Sequence, residues 1–171
     1  MGEGMTAADT HRKMPRQKPG KSKQDYATPR EFIAAVEKRF GKLDWDLAAT
    51  WRNAVTTDFY GMQESGVFRD SLEQNWRRLE GNLWLNPPFA QIAPWAAKCA
   101  GSSYRGATNR IFFLTPASVG ANWFWQYVWP HALVLPIHPR LSFDGVDPYP
   151  KDLMLSVFNA GARTMERWVW R

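Results

Sequence analysis

The segment Asn86-Pro87-Pro88-Phe89 carries the most specific chemistry in the 171-residue sequence. The asparagine amide offers a carbonyl oxygen as one hydrogen-bond acceptor. The Pro87 carbonyl offers a second, and proline fixes φ, so that oxygen keeps one direction. Two acceptors set for the two N–H bonds of a planar amino group would aim the nitrogen lone pair at an electrophilic methyl carbon. Adenine N6 is such a group, and a poor nucleophile, because its lone pair is delocalised into the ring. Orientation, and acceptors matched to the developing positive charge, would supply the rate. Phe89 adds a π-face on which a base can stack, worth about 1–3 kcal/mol. Neither a metal nor a covalent enzyme intermediate is needed. Asn-Pro-Pro is also a good strand terminator, so the motif must be weighed with its context.

That context is favourable. Leu83-Trp84-Leu85 precedes the motif, and 82–86 reads as a short buried strand stopped by the double proline. Residues 91–100 read as the helix that follows. Upstream, Thr28-Pro29-Arg30-Glu31 has the form of a capping box. Phe32, Val36 and Phe40 then share a helical face, with Ile33 beside them and Gly41 as terminator. Residues 43–47 read as a strand ending near Asp46, and 50–68 as irregular. Asp70 could cap a short helix over 70–79. Strands are predicted at 111–115, 133–137, 153–158 and 167–170, the last two turning at Gly161, with a helix over 119–129. The alternation implies an α/β fold with a mostly parallel sheet, and the strand-rich end implies an antiparallel edge. In open sheets of this kind the ligand lies at the carboxyl ends of the strands, where both Asp46-Leu47-Ala48-Ala49 and Asn86-Pro87-Pro88-Phe89 fall.

The formal charge is +6 and the isoelectric point about 9.7, which suits a polyanionic partner. Residues 1–30 hold seven basic residues against three acidic ones. Residues 1–25 read as a disordered basic tail, able to touch DNA phosphate or merely solvated, and 26–171 as the folded domain. A single cysteine, Cys99, excludes an internal disulfide and a cysteine zinc site, and suits a reducing cytoplasm. It reads as a small buried hydrophobe. No apolar run reaches the ~18–20 residues of a membrane span, and no signal-peptide core is present. His131 and His138 lack metal-ligand spacing, so no metal is expected.

Taken together, these residues resemble the phage and prophage DNA N6-adenine methyltransferases of the Dam type. The likeness runs over nearly all of 26–158. It is carried by Thr28-Pro29, Leu43-Asp44-Trp45-Asp46-Leu47-Ala48-Ala49, Asn53, Asp70-Ser71-Leu72, Trp76 and Leu83 to Phe89. Further landmarks are Trp95, Phe113 to Ser118, Trp123, Arg140-Leu141-Ser142-Phe143 and Leu155 to Phe158. The resemblance implies a Rossmann-like methyltransferase fold with an antiparallel C-terminal strand, and S-adenosylmethionine as methyl donor. It implies Asn86, Pro87, Pro88 and Phe89 as the catalytic motif. Thr28, Pro29, Asp46, Ala48, Ala49, Asn53 and Asp70 would be the cofactor side. It also suggests a role in shielding phage DNA from host restriction, in the bacterial cytoplasm. One departure stands out: the first cofactor motif, usually glycine-rich so that backbone can approach closely, here has alanines instead.

Each remaining residue has a plainer reading beside the functional one. Asp46 binds cofactor or caps a turn; Asn53 is a turn residue or a cofactor contact; Asp70 can be cap and contact at once. Trp84, Trp95 and the aromatic run from Trp123 to Trp129 read as core. Arg140 suits phosphate or a guanine edge, or is simply a surface arginine, and Phe143 lies beside it on the same DNA side. The expected partner is double-stranded DNA, with single-stranded DNA as the alternative, and the target base is expected to be flipped. Loops 51–68 and 139–151 would supply recognition. Two other functions fit the same residues: methyl transfer to an RNA base or protein glutamine, and a non-catalytic nucleic-acid-binding module.

Overall fold

The computed structural model describes residues 27–61, 70–143 and 145–171. The expected basic tail, residues 62–69 and one residue of the 139–151 loop lie outside that range. Helix α1 (Arg30–Phe40) buries Phe32 and Val36, as their spacing requires, and Gly41 follows it at φ +96°. The capping box does not form. Pro29 takes the N-cap position without a side-chain cap, because the Thr28 hydroxyl is engaged with Asn86 instead.

Seven strands follow: β1 (Trp45–Ala49), β2 (Asp58–Gly61), β3 (Gly81–Leu85), β4 (Asn109–Pro116), β5 (Ala132–His138), β6 (Leu153–Phe158) and β7 (Trp168–Val169). They form one sheet in the order β2-β1-β3-β4-β6-β5-β7. Only β6 runs antiparallel to its neighbours. The α/β class and the antiparallel C-terminal strand are therefore as expected, but its place is not. It lies inside the sheet, between β4 and β5, rather than at an edge. All six of its residues are buried, and a strand buried on both faces needs a partner on each side. Nor does β7 turn back on β6 at Gly161. It pairs with β5, where Trp168 packs against Phe32 and Phe40 of α1.

Three further expectations change. Within 50–68, β2 is an edge strand on β1, and its four residues are too few to show apolar alternation. The helix expected over 70–79 is two 3-10 turns, Ser71–Glu73 and Trp76–Arg78. Asp70 and Asn75 each cap their own turn, and the buried Trp76 indole donates to the Ser71 carbonyl, so no continuous ladder forms. The 119–129 helix carries a π-helical stretch, Phe124–Val128, closed by the Trp129 amide on the Phe124 carbonyl at 2.9 Å. The wider turn accommodates the Trp123, Trp125 and Trp129 rings around Phe124. Phe124 and Val128 are core as expected; Trp125 and Trp129 face outward.

Alternation along the strands builds two apolar layers. Leu83, Leu85, Ile111 and Phe113 face helix α2 (Ile92–Ser102) with Trp95, Cys99 and Phe124. Trp84, Phe112, Leu114 and Leu155 face α1 and β7 with Phe32, Val36 and Trp168. At the start of β3, Gly81 has φ +82°, and a Cβ there would lie 2.1 Å from Asp44 Oδ2. That carboxylate accepts from the Asn82 amide at 2.8 Å. The Asn82 side chain donates to the Phe40 and Lys42 carbonyls at 3.3 and 2.8 Å, tying the end of α1 to the start of β3.

Candidate active site

Residues Asn86 to Phe89 follow β3 at the carboxyl edge of the sheet, where the two prolines end the strand and precede α2. Asn86 Nδ2 donates to Thr28 Oγ1 at 3.1 Å. Thr28 is buried and lies just ahead of α1. Helix α1 is thus fastened to β3 at both ends. With Nδ2 directed at Thr28, Oδ1 lies on the other side of the planar amide.

Phe89 is half-buried and packs against both apolar layers, so its ring straddles the edge of the sheet. Its other neighbour was not foreseen. Tyr149, in the loop between β5 and β6, meets Phe89 edge-on, with centroids 6.0 Å apart and planes at 69°. Tyr149 also meets Phe143 at 5.3 Å and 88°. Three rings therefore connect the Asn86 turn to the 139–151 loop. The Tyr149 amide closes this loop on the Leu141 carbonyl at 2.7 Å. Arg140 pins its base, with Nε 2.8 Å from Asp152 Oδ1. The signal for Tyr149 in the sequence was an aromatic residue between two prolines in a loop.

The cofactor-side residues divide. Asp46 lies within β1, three positions before its end, and not at a terminus. Register pairs it with Trp84, and β1 is irregular between Asp46 and Ala49. The Asp46 carboxylate is buried and accepts from the Ala48 and Val55 amides at 3.2 and 3.1 Å. Burial pushes its pKa up to about 6, against the lowering effect of those two hydrogen bonds. Asn53 closes the next turn: its Oδ1 accepts from the Thr50 amide at 2.6 Å and the Thr50 hydroxyl at 2.9 Å. Asp70 is exposed and caps Leu72 at 2.9 Å. The structure thus brings Thr28, Pro29, Ala48, Ala49 and the Asn86 turn to one edge. Asp46 and Asn53 shape the loop beside it.

Ala48 and Ala49 put only methyl groups at the end of β1. The buried Asp46 carboxylate beside them is turned to the Ala48 and Val55 amides of its own loop, so it shapes this edge. Two cavities among the described residues lie elsewhere. One of about 420 Å³ by Tyr104, Arg105, His131 and Arg163, and one of about 680 Å³ by Glu37, Asp58 and Glu80, open at the amino ends of the parallel strands. Among the described residues, no group of three or more His, Cys, Asp or Glu could hold a metal, and no helix is long and apolar enough to cross a membrane.

The mostly parallel sheet, with an asparagine-proline-proline-aromatic turn at its carboxyl edge, has the Rossmann-like methyltransferase fold expected from the sequence. The comparisons give the family. Residues 16–154 match the family described as DNA N-6-adenine-methyltransferase (Dam), and the chain belongs to it. It is 33% identical over 99 residues to a DNA N-6-adenine-methyltransferase of Escherichia phage T1. That match spans 58% of this chain and 38% of the phage protein. Among solved structures, a predicted O-methyltransferase from Agrobacterium tumefaciens aligns at a TM-score of 0.36 and 15% identity, over 65% of this chain and 53% of that one.

Proposed function

We propose that this chain transfers a methyl group from S-adenosylmethionine to the N6 amino group of adenine in DNA. The observation that carries this reading is the Thr28–Asn86 hydrogen bond, which holds the Asn86 amide at the carboxyl end of β3, next to β1. When bound, the donor supplies an electrophilic methyl on a positively charged sulfur. The chain's own residues do the rest. The Asn86 Oδ1 and the Pro87 carbonyl accept from the adenine amino group and orient its lone pair. Pro87 and Pro88 keep the turn rigid, and Phe89 stacks on the base. Thr28, Pro29, Ala48 and Ala49 line the donor side. Asp46 and Asn53 hold the adjoining loop, and Asp70 stands at its far end.

A duplex adenine is out of reach of such a turn, so the target is flipped. Arg140 and Phe143 belong to the loop that approaches the DNA, and the basic tail adds sequence-independent attraction to phosphate. The test uses bacteria lacking their own adenine methylation, carrying this protein or its Asn86→Ala variant. Mass spectrometry of digested DNA, RNA and protein should show N6-methyladenine in DNA only with the unmutated protein. Methyl groups in RNA or on glutamine alone, or in no sample from a folded protein, would overturn the reading.

A further inference from the structure

Seven of the ten tryptophans are buried or only slightly accessible, whereas Trp51 is 70% exposed. It stands in the turn directly after β1, at the same edge as the Asn86 turn and one strand away from it. The backbone beneath it is fixed. The Asn53 and Ala54 amides both donate to the Thr50 carbonyl, at 3.2 and 3.0 Å. Asn53 Oδ1 takes the Thr50 amide and hydroxyl in return, and the buried Asp46 carboxylate holds the Val55 amide on the far side. Arg52 lies with its guanidinium carbon 4.9 Å from the Trp51 ring centroid. No acidic residue occurs between Leu47 and Thr57. The two other outward tryptophans differ: Trp125 and Trp129 contact each other at 5.6 Å and both contact Phe124.

We propose that Trp51 and Arg52 form a second DNA-contact site, where an unstacked nucleobase lies on the indole and the guanidinium meets the adjoining phosphate. The proposal rests on the DNA reading above and adds a binding element outside the catalytic turn and the cofactor-side residues. An indole face is sequence-tolerant, because every base has a π-face, and arginine adds charge and a cation–π contribution to the same stack. The pinned turn means that little ordering is needed on binding. Flipping one base out of a duplex leaves its neighbours and its former partner partly unstacked, so bases of the required kind arise next to the catalytic turn.

The test is the affinity of the full chain for a fluorescein-labelled oligodeoxythymidine and for a duplex, by anisotropy at several salt concentrations. Calorimetry with S-adenosylmethionine runs beside it. Trp51→Ala should weaken single-strand binding by about 5- to 150-fold, the range spanned by stacking one base on an aromatic side chain. Trp51→Phe should keep most of the affinity. Arg52→Ala should lower the salt slope by about 0.7, one phosphate on a single strand. Affinity for S-adenosylmethionine should stay unchanged in all three variants. Unaltered DNA affinity in Trp51→Ala overturns the proposal. So does a loss confined to S-adenosylmethionine, which would make Trp51 a wall of the donor site. If the unmutated protein binds DNA but makes no N6-methyladenine, the proposed function fails, while Trp51 is still judged by the binding data.

Discussion

Thr28 and Asn86, 58 residues apart in sequence, meet at 3.1 Å, hydroxyl oxygen to amide nitrogen. The bond links the residue ahead of α1 to the residue after β3, and it fixes the rotation of the amide. Valine has the shape of threonine without the hydroxyl. Thr28→Val should therefore leave the fold intact, at a cost of about 1 kcal/mol for one lost hydrogen bond. It should lower kcat by about 10- to 100-fold through misorientation of Asn86, and Thr28→Ser should restore most of it. Steady-state kinetics with DNA, together with a thermal melt, decides. Full activity in the valine variant would mean that another contact orients Asn86.

Tyr149 meets Phe89 and Phe143 edge-on, and aromatic pairs of this geometry contribute about 0.5–1.5 kcal/mol each. Tyr149→Ala should lower kcat by about 5- to 10-fold, since one such contact steadies the Phe89 ring. Tyr149→Phe keeps the ring and should stay within about twofold of the unmutated rate. If Tyr149 works through Phe89, the two residues must couple. In a Phe89→Ala background, Tyr149→Ala should then cost nothing more. Multiplying effects would show that Tyr149 acts independently.

Much of this was legible in the sequence because local rules and tertiary packing agreed. Phe32 and Val36 at helical spacing, and Leu83 to Leu85 before a double proline, leave few alternatives. The position of β6 was not legible: a buried strand reads alike at an edge or in the middle, and only its partners decide. Thr28 shows the converse. Its sequence neighbours spell a helix cap, yet its hydroxyl serves a residue that no local pattern connects to it. Asp46 was legible as special but not in its role, because its carboxylate is turned to the backbone of its own loop. Tyr149 escaped because ring contacts between distant loops leave no periodic trace.

Asp46 makes a pH prediction. Its pKa is about 6 in the folded chain, against 3.8 for an ordinary carboxyl. Between those values the folded chain holds the proton more tightly than the unfolded chain does. Folding is thus favoured at low pH, and this contribution is lost as pH rises from about 4 to 6. Two pKa units correspond to about 3 kcal/mol. Asp46→Asn cannot titrate, so it should remove this decline. Urea unfolding of both proteins from pH 4 to pH 7.5 measures the difference. A stability gap between them that stays constant across that range would exclude Asp46 as the source.

Arg140 and Asp152 allow the two roles of the arginine to be separated. Their ion pair is solvent-exposed, with 46% and 72% of the side chains accessible, so its loss should change stability by less than about 1 kcal/mol. If Arg140 only pins the loop, Arg140→Ala and Asp152→Ala should impair methylation to the same extent, because either one breaks the pair. If Arg140 also contacts phosphate, the variants should diverge. Arg140→Ala should weaken duplex binding and reduce the salt slope by about 0.9, the value for one phosphate on B-form DNA. Asp152→Ala removes a negative charge that competes with phosphate for the guanidinium, and should strengthen binding. Anisotropy titrations across salt concentrations, set against methylation rates, tell these outcomes apart. Equal losses in both variants, with no change in salt slope, would leave Arg140 as a pin alone.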